Sequence, residues 1–202
     1  MATLKPMHAG QSEPTRRIDY FVGDHAFLSN FHRDSFSDES GRTYPTLEHA
    51  YQAAKATNQF DRERILMAST PLKAKQLGAS ITTAPDWHER RVAVMDHFLR
   101  RKFAPGTQMA AKLLATADAH LAEGNNWGDT FWGTVNGEGQ NVLGVLLMRI
   151  RDELAGTAQA LPQADGVELK PGLPTAAHPA GYTPVAAPPT GSSQTHRPGH
   201  EA

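Results

Sequence analysis

The composition of the chain changes abruptly after Leu154, and that break sets how much of it can fold. The remainder, AGTAQALPQADGVELKPGLPTAAHPAGYTPVAAPPTGSSQTHRPGHEA, holds eight of the fourteen prolines and almost no large apolar side chains. Such a segment cannot bury enough surface to offset the entropy of ordering it. Residues 155–202 therefore read as a disordered Pro/Ala/Gly-rich tail, and residues 1–16 as a flexible N-terminal one. The folded unit, about 17–154 of 202 residues, is the size of one domain.

That unit carries few global signals. The net charge of −1 gives no basic field for nucleic acid or a membrane surface. No apolar run approaches the roughly 18 residues needed to span a bilayer, and MATLKPMHAGQSEPTRR lacks the apolar stretch of a secretory signal. Cysteine is absent, which excludes disulfides, thiolate catalysis and Cys-type zinc sites. A cytoplasmic protein without a membrane partner is the expectation.

Local patterns predict a helix-rich α+β domain with a few short strands near its start. IDYFV (18–22) has strand composition, and DSFSDESGRTY suggests a hairpin turning at its Ser/Gly cluster. Thr46 is placed to cap a helix beginning at Leu47. Helices are also expected over 59–69, over PLKAKQLG with Thr70-Pro71 at its start and Gly78 as its stop, and over WHERRVAVMDHFLRRKF after Asp86. GTQMAAKLLATAD and NVLGVLLMRIRDEL complete the set, the latter with a wide apolar face.

Two stretches are unusual. In YPTLEHAYQAAK, Leu47, Ala50, Tyr51 and Ala54 make an apolar helical stripe, while Glu48, Gln52 and Lys55 lie within roughly 60° of one another beside it. Gln52 is spaced to bridge Glu48 and Lys55. That polar stripe is either a solvated face or the wall of a site. In EGNNWGDTFWG (123–133) two tryptophans, two asparagines, Asp129 and three glycines separate two helices. Trp127 and Trp132 either plug the core or stack on a flat ligand. Arg91 shares a helical face with Trp87. No histidine has metal-ligand spacing, and no GxGxxG or Walker A pattern appears. The Gly-rich VNGEGQNVLG still offers a helix N-terminus where backbone N–H groups can hold phosphate.

Taken in order, FLSNF (27–31), YPTLEHAYQAAKA (44–56), ASTPLKAKQLG (68–78), W-x-x-x-R-x-x-x-M (87–95), KF (102–103) and NNWGDTFWG…G-x-N-x-LG-x-x-LM-x-x-R (125–151) resemble the NADAR superfamily, the YbiA-like proteins. The resemblance covers about 18–154. It implies a compact, mostly helical domain with N-glycosidase activity and no cofactor or metal. It also implies one of two substrate classes. These are phosphoribosylamino-pyrimidine intermediates of riboflavin synthesis, and ADP-ribose derivatives including ADP-ribosylated guanine in nucleic acid. Carried onto this sequence, the resemblance marks Glu48 and Asp129 as catalytic, with Lys55, Trp87, Trp127 and Trp132 around them. Asn30 and Asn126 would bond ribose or base, with Phe31, Gln52 and Arg91 nearby. The alternative is a non-catalytic ADP-ribose or nucleotide reader.

Overall fold

Most helices of this protein begin where a side-chain oxygen meets the unpaired N–H groups of a first turn. In a computed structural model that describes residues 16–156, Thr46 Oγ1 accepts the His49 N–H (3.3 Å), Asn58 Oδ1 that of Asp61 (2.9 Å), Thr70 Oγ1 that of Lys73 (3.1 Å) and Thr107 Oγ1 that of Ala110 (3.1 Å). Each such cap contributes about 1 kcal/mol. They open α1 (Leu47–Ala53), α2 (Gln59–Leu66), α3 (Pro71–Ser80) and α5 (Gln108–Leu114). The longer α4 (Trp87–Lys102) and α6 (Val142–Leu154) start without a side-chain cap bond. Asp86 stands at the head of α4 as expected, but its carboxylate binds Arg90 instead (3.0 Å).

Strands are minimal. β2 (Phe36–Ser37) and β3 (Thr43–Tyr44) form the expected hairpin, with Phe36 opposite Tyr44. The strand expected over 18–22 shrinks to β1 (Arg17–Ile18), which pairs in parallel with β4 (His120–Leu121). The chain then turns into a 3-10 helix at Gly23–Leu28. Two further expectations are corrected. α2 ends at Leu66 rather than 69, and Gly78 does not stop α3, which runs on to Ser80 with Gly78 buried inside it. The two expected tails lie outside the described residues, apart from their inner edges.

The architecture is α+β and mostly helical. α1 packs on α2, α3 and α4, and α6 packs on α4, α5 and β4. Val94, Met95, Phe98 and Leu99 of α4 share one core with Leu143, Leu146, Leu147 and Ile150 of α6. The Lys102 ammonium is enclosed at the end of α4, 2 % exposed, and donates to the carbonyls of Phe27 (2.6 Å) and Ser29 (3.0 Å). Burial lowers its pKa to about 7. It ties down the segment leading to Asn30, one wall of the site described next. Among the described residues no helix is long and apolar enough to cross a membrane.

Candidate active site

Every residue of α1 is buried, so its polar stripe is not a solvated face. Glu48 is 5 % exposed and Gln52 4 %. The Glu48 N–H donates to the Asn30 carbonyl (3.0 Å), which fixes the backbone beneath the carboxyl group. Gln52 Nε2 donates to Glu48 Oε1 (2.7 Å). Gln52 thus holds Glu48 as the spacing suggested, but no bridge to Lys55 forms. α1 ends at Ala53, and the Lys55 ammonium swings over the rings of Tyr51 (5.4 Å) and Trp87 (5.9 Å). Burial pushes the Glu48 carboxyl above its ordinary range, against the Gln52 bond and the charges of Lys75 and Lys55. Burial lowers Lys55, while Glu48 holds it up. His49, also buried, serves the scaffold: its ring bonds Thr46 Oγ1 (2.8 Å) and the Ala68 carbonyl (3.0 Å).

The second wall is the tryptophan loop, which is internally tied. Asn125 clasps Asp129, accepting its N–H at Oδ1 (3.0 Å) and donating to its carbonyl (2.8 Å). Asp129 Oδ1 accepts the N–H groups of Phe131 (3.1 Å) and Trp132 (2.9 Å). The carbonyls of those two residues accept the N–H groups of Val142 (3.1 Å) and Leu143 (3.0 Å). The N-terminus of α6 is therefore bonded to the loop, and the phosphate site expected there is not built. The tryptophans part company. Trp132 is half-buried and edge-on to Tyr51 (5.5 Å), whereas Trp127 is 62 % exposed.

Between these walls lies a cleft of about 1160 Å³. All eleven residues singled out in the sequence line it: Glu48, Asp129, Asn30, Phe31, Gln52, Lys55, Trp87, Arg91, Asn126, Trp127 and Trp132. They are not equivalent. The Arg91 guanidinium lies 3.6 Å from the Phe131 ring centre and so braces the loop. Asn30 Oδ1 is buried with no hydrogen-bond partner among the described residues, which suits a donor from a bound molecule.

Three lining residues were missed as site residues. Tyr51, read as part of the apolar stripe, joins Trp87 and Trp132 in one aromatic wall. Lys75 of α3 sits near the rings of both Phe31 (5.8 Å) and Trp127 (5.7 Å). Its neighbours come from distant segments, so only its place inside the ASTPLKAKQLG block hinted at it. Glu123, at the edge of the tryptophan loop, is the most informative. Its N–H donates to the side chain of buried Asn141 (3.1 Å), and its carbonyl accepts the Thr134 N–H (2.9 Å). Burial, then the carboxylates of Asp129 and Glu48, push the Glu123 carboxyl up to about 7, with Lys75 pulling the other way.

A small helical domain with three carboxyl groups, lysines and aromatic faces gathered in one cleft has the make-up of an enzyme. This chain belongs to the NADAR domain family, whose model matches residues 20–155. N-glycosidase YbiA of Escherichia coli K12 is 40% identical over 118 residues, 57% of this chain and 73% of that protein. The NMR structure of E. coli YbiA matches the fold with a TM-score of 0.63 at 35% identity, covering 71% of this chain and 88% of that one. A riboflavin biosynthesis protein of Vibrio vulnificus is 39% identical over 134 residues, 65% of this chain but only 36% of that protein. This chain thus spans about a third of the Vibrio protein's length.

Proposed function

We propose that this protein hydrolyses a ribose C1′–N bond in a phosphorylated, nucleoside-like substrate. The class, a hydrolase acting on N-glycosyl bonds, is that of its relatives named N-glycosidase. The observation that carries the reading further is the gathering of the Glu48, Glu123 and Asp129 carboxyl groups in one aromatic cleft. Breaking C1′–N builds positive charge on the ribose and negative charge on the leaving nitrogen. The first needs a carboxylate and the second a proton donor. Glu48, when ionised, stabilises the oxocarbenium-like ribose and takes a proton from the attacking water. Glu123, about half protonated near neutral pH, gives its proton to the leaving nitrogen. Proton donation is not assigned to Asp129, whose Oδ1 already organises the turn that carries Trp132. Asp129 then orients the substrate.

The base stacks within the aromatic walls, and Lys55 and Lys75 meet the phosphate. Trp127→Ala should raise KM about 5- to 150-fold with kcat changed far less, because stacking on one aromatic is worth about 1–3 kcal/mol. Steady-state kinetics would show it, and an unchanged KM would remove Trp127 from the site. Asp129→Asn keeps an oxygen for the Phe131 and Trp132 N–H groups and removes only the charge. It should melt near the wild-type temperature yet turn over at least about tenfold more slowly; full activity would leave Asp129 with its turn alone.

Two substrates fit this chemistry. Relatives named for riboflavin biosynthesis favour a phosphoribosylamino-pyrimidine. The size of the cleft, above the usual 300–1,000 Å³ of small-molecule sites, favours a larger ADP-ribosyl conjugate of guanine. Incubating the protein separately with each, and reading free base and free sugar phosphate by mass spectrometry, tests both. Binding of either without product release would indicate a reader rather than an enzyme.

A further inference from the structure

We infer that Gly78 is a positioning residue for the reaction: its missing side chain is the slot from which the Gln52 amide holds Glu48. The inference rests on the reading above, in which Glu48 acts as the carboxylate at the sugar.

Gly78 lies in α3, which packs on α1, and it is buried. Its backbone is ordinary right-handed helix, open to any L-residue, so no conformational need explains a glycine there. Glycine is in fact a poor choice for a helix interior compared with alanine. The need is spatial. A β-carbon at position 78 would overlap Gln52 Oε1 and would come within 2.8 Å of Gln52 Cδ and 2.9 Å of Gln52 Cβ. The last contact is decisive. Rotating the amide away cannot relieve it, because Gln52 Cβ is fixed to the backbone of α1.

Gln52 has no other firm hold. Its Oε1 is buried with no hydrogen-bond partner among the described residues, so the amide is kept in place by its Nε2 bond to Glu48 (2.7 Å) and by the flat surface of Gly78. An alanine there must push Gln52 along α1 or part the two helices. Pushing Gln52 lengthens its bond to Glu48, and parting the helices removes the surface that backs the amide against the carboxylate. That bond favours the ionised carboxylate, so losing it moves Glu48 further up.

The test compares wild type, Gly78→Ala, Gln52→Ala and the double variant. Turnover is measured against pH, and the Glu48 carboxyl is titrated directly by NMR of ¹³C-labelled protein. Gly78→Ala should lower kcat by about tenfold or more with KM within about threefold. The acid limb of its pH profile and the Glu48 titration should both move to higher pH, as in Gln52→Ala. The double variant should be no slower than Gln52→Ala, because both act through one bond. Wild-type kcat and titration in Gly78→Ala would overturn the inference, and so would singles whose losses multiply in the double. If Gly78→Ala does not fold but the double does, the Gln52 amide rather than its Cβ is what position 78 must clear, and an unmoved Glu48 titration in Gln52→Ala then overturns the inference. If neither folds, Gly78 serves the general packing of α1 on α3 and the inference fails. The titration needs no substrate, so it separates this inference from the proposed reaction. A wild-type protein inert toward both substrates would sink the reaction while leaving the Glu48 titration to decide the role of Gly78.

Discussion

Glu48→Gln should yield a folded protein that cleaves its substrate about 10²- to 10³-fold more slowly. The substitution is nearly isosteric and keeps an oxygen to accept the Gln52 amide, so the 2.7 Å contact survives. What disappears is the negative charge facing C1′. In a water-poor cleft that charge acts at low dielectric, where removing one preorganised electrostatic group costs about 3–4 kcal/mol of transition-state stabilisation. KM should change little, because ground-state sugar carries no positive charge. Stability should not fall either. Burial raises the carboxyl group, so an ionised Glu48 is unfavourable in the folded protein at alkaline pH, and a neutral amide relieves that. Single-turnover rates with both candidate substrates, alongside thermal melts at pH 8, read these effects separately. A folded variant with undiminished turnover would exclude Glu48 from the chemistry.

Glu123→Gln should remove the alkaline limb of the pH–rate profile. With its carboxyl at about 7, Glu123 is half-protonated near neutrality, and wild-type activity should decline as pH rises through that value. The glutamine variant has no proton to give. Its rate should fall about 10²- to 10⁴-fold and be flat across the same range. A substrate whose leaving base departs without protonation should lose much less, which marks a proton donor rather than a structural residue. Stability moves the opposite way. Between the ordinary value of 4.5 and about 7, folding takes up a proton at Glu123. The wild-type protein therefore loses stability as pH rises through that window and stays lower above it. The variant should melt higher than wild type at pH 8 and close to it at pH 4. A profile that keeps its alkaline limb in Glu123→Gln would assign the limb to another group.

The sequence made the helices legible because their signals are local. Thr46 and Thr70 sit directly before the turns they cap, and α6 announces its apolar face over thirteen residues. The floor of the cleft was legible for the same reason: Glu48 and Gln52 are one turn apart on α1, and their contact needs no distant partner. What escaped depends on tertiary neighbours. The strand-like IDYFV contributes only Ile18 to β1, whose ladder with β4 is two residues long. Gly78 has the look of a helix stop, yet its meaning lies in Gln52 on another helix. Glu123 acquires its character from Glu48 and Asp129, which the fold brings beside it. Lys75 is one of several surface-type lysines until Phe31 and Trp127 converge on it. The family resemblance ties the α1 stripe to the tryptophan loop, a link that periodicity alone does not make.

The mouth of the cleft has a different status from its floor. Tyr20, Val22, Phe31, Leu72 and Trp127 all line the cleft and all remain exposed, while Glu48 and Gln52 are part of the packed interior. Substitutions at exposed positions usually alter stability by less than about 0.5 kcal/mol, whereas those in a packed interior cost several times more. The molecule is therefore divisible in evolutionary terms. Its rim can drift to suit a new base or a longer conjugate without endangering the fold, and its chemistry stays locked to the residues that hold the domain together. A laboratory search for altered substrate range should vary the rim and leave α1 alone.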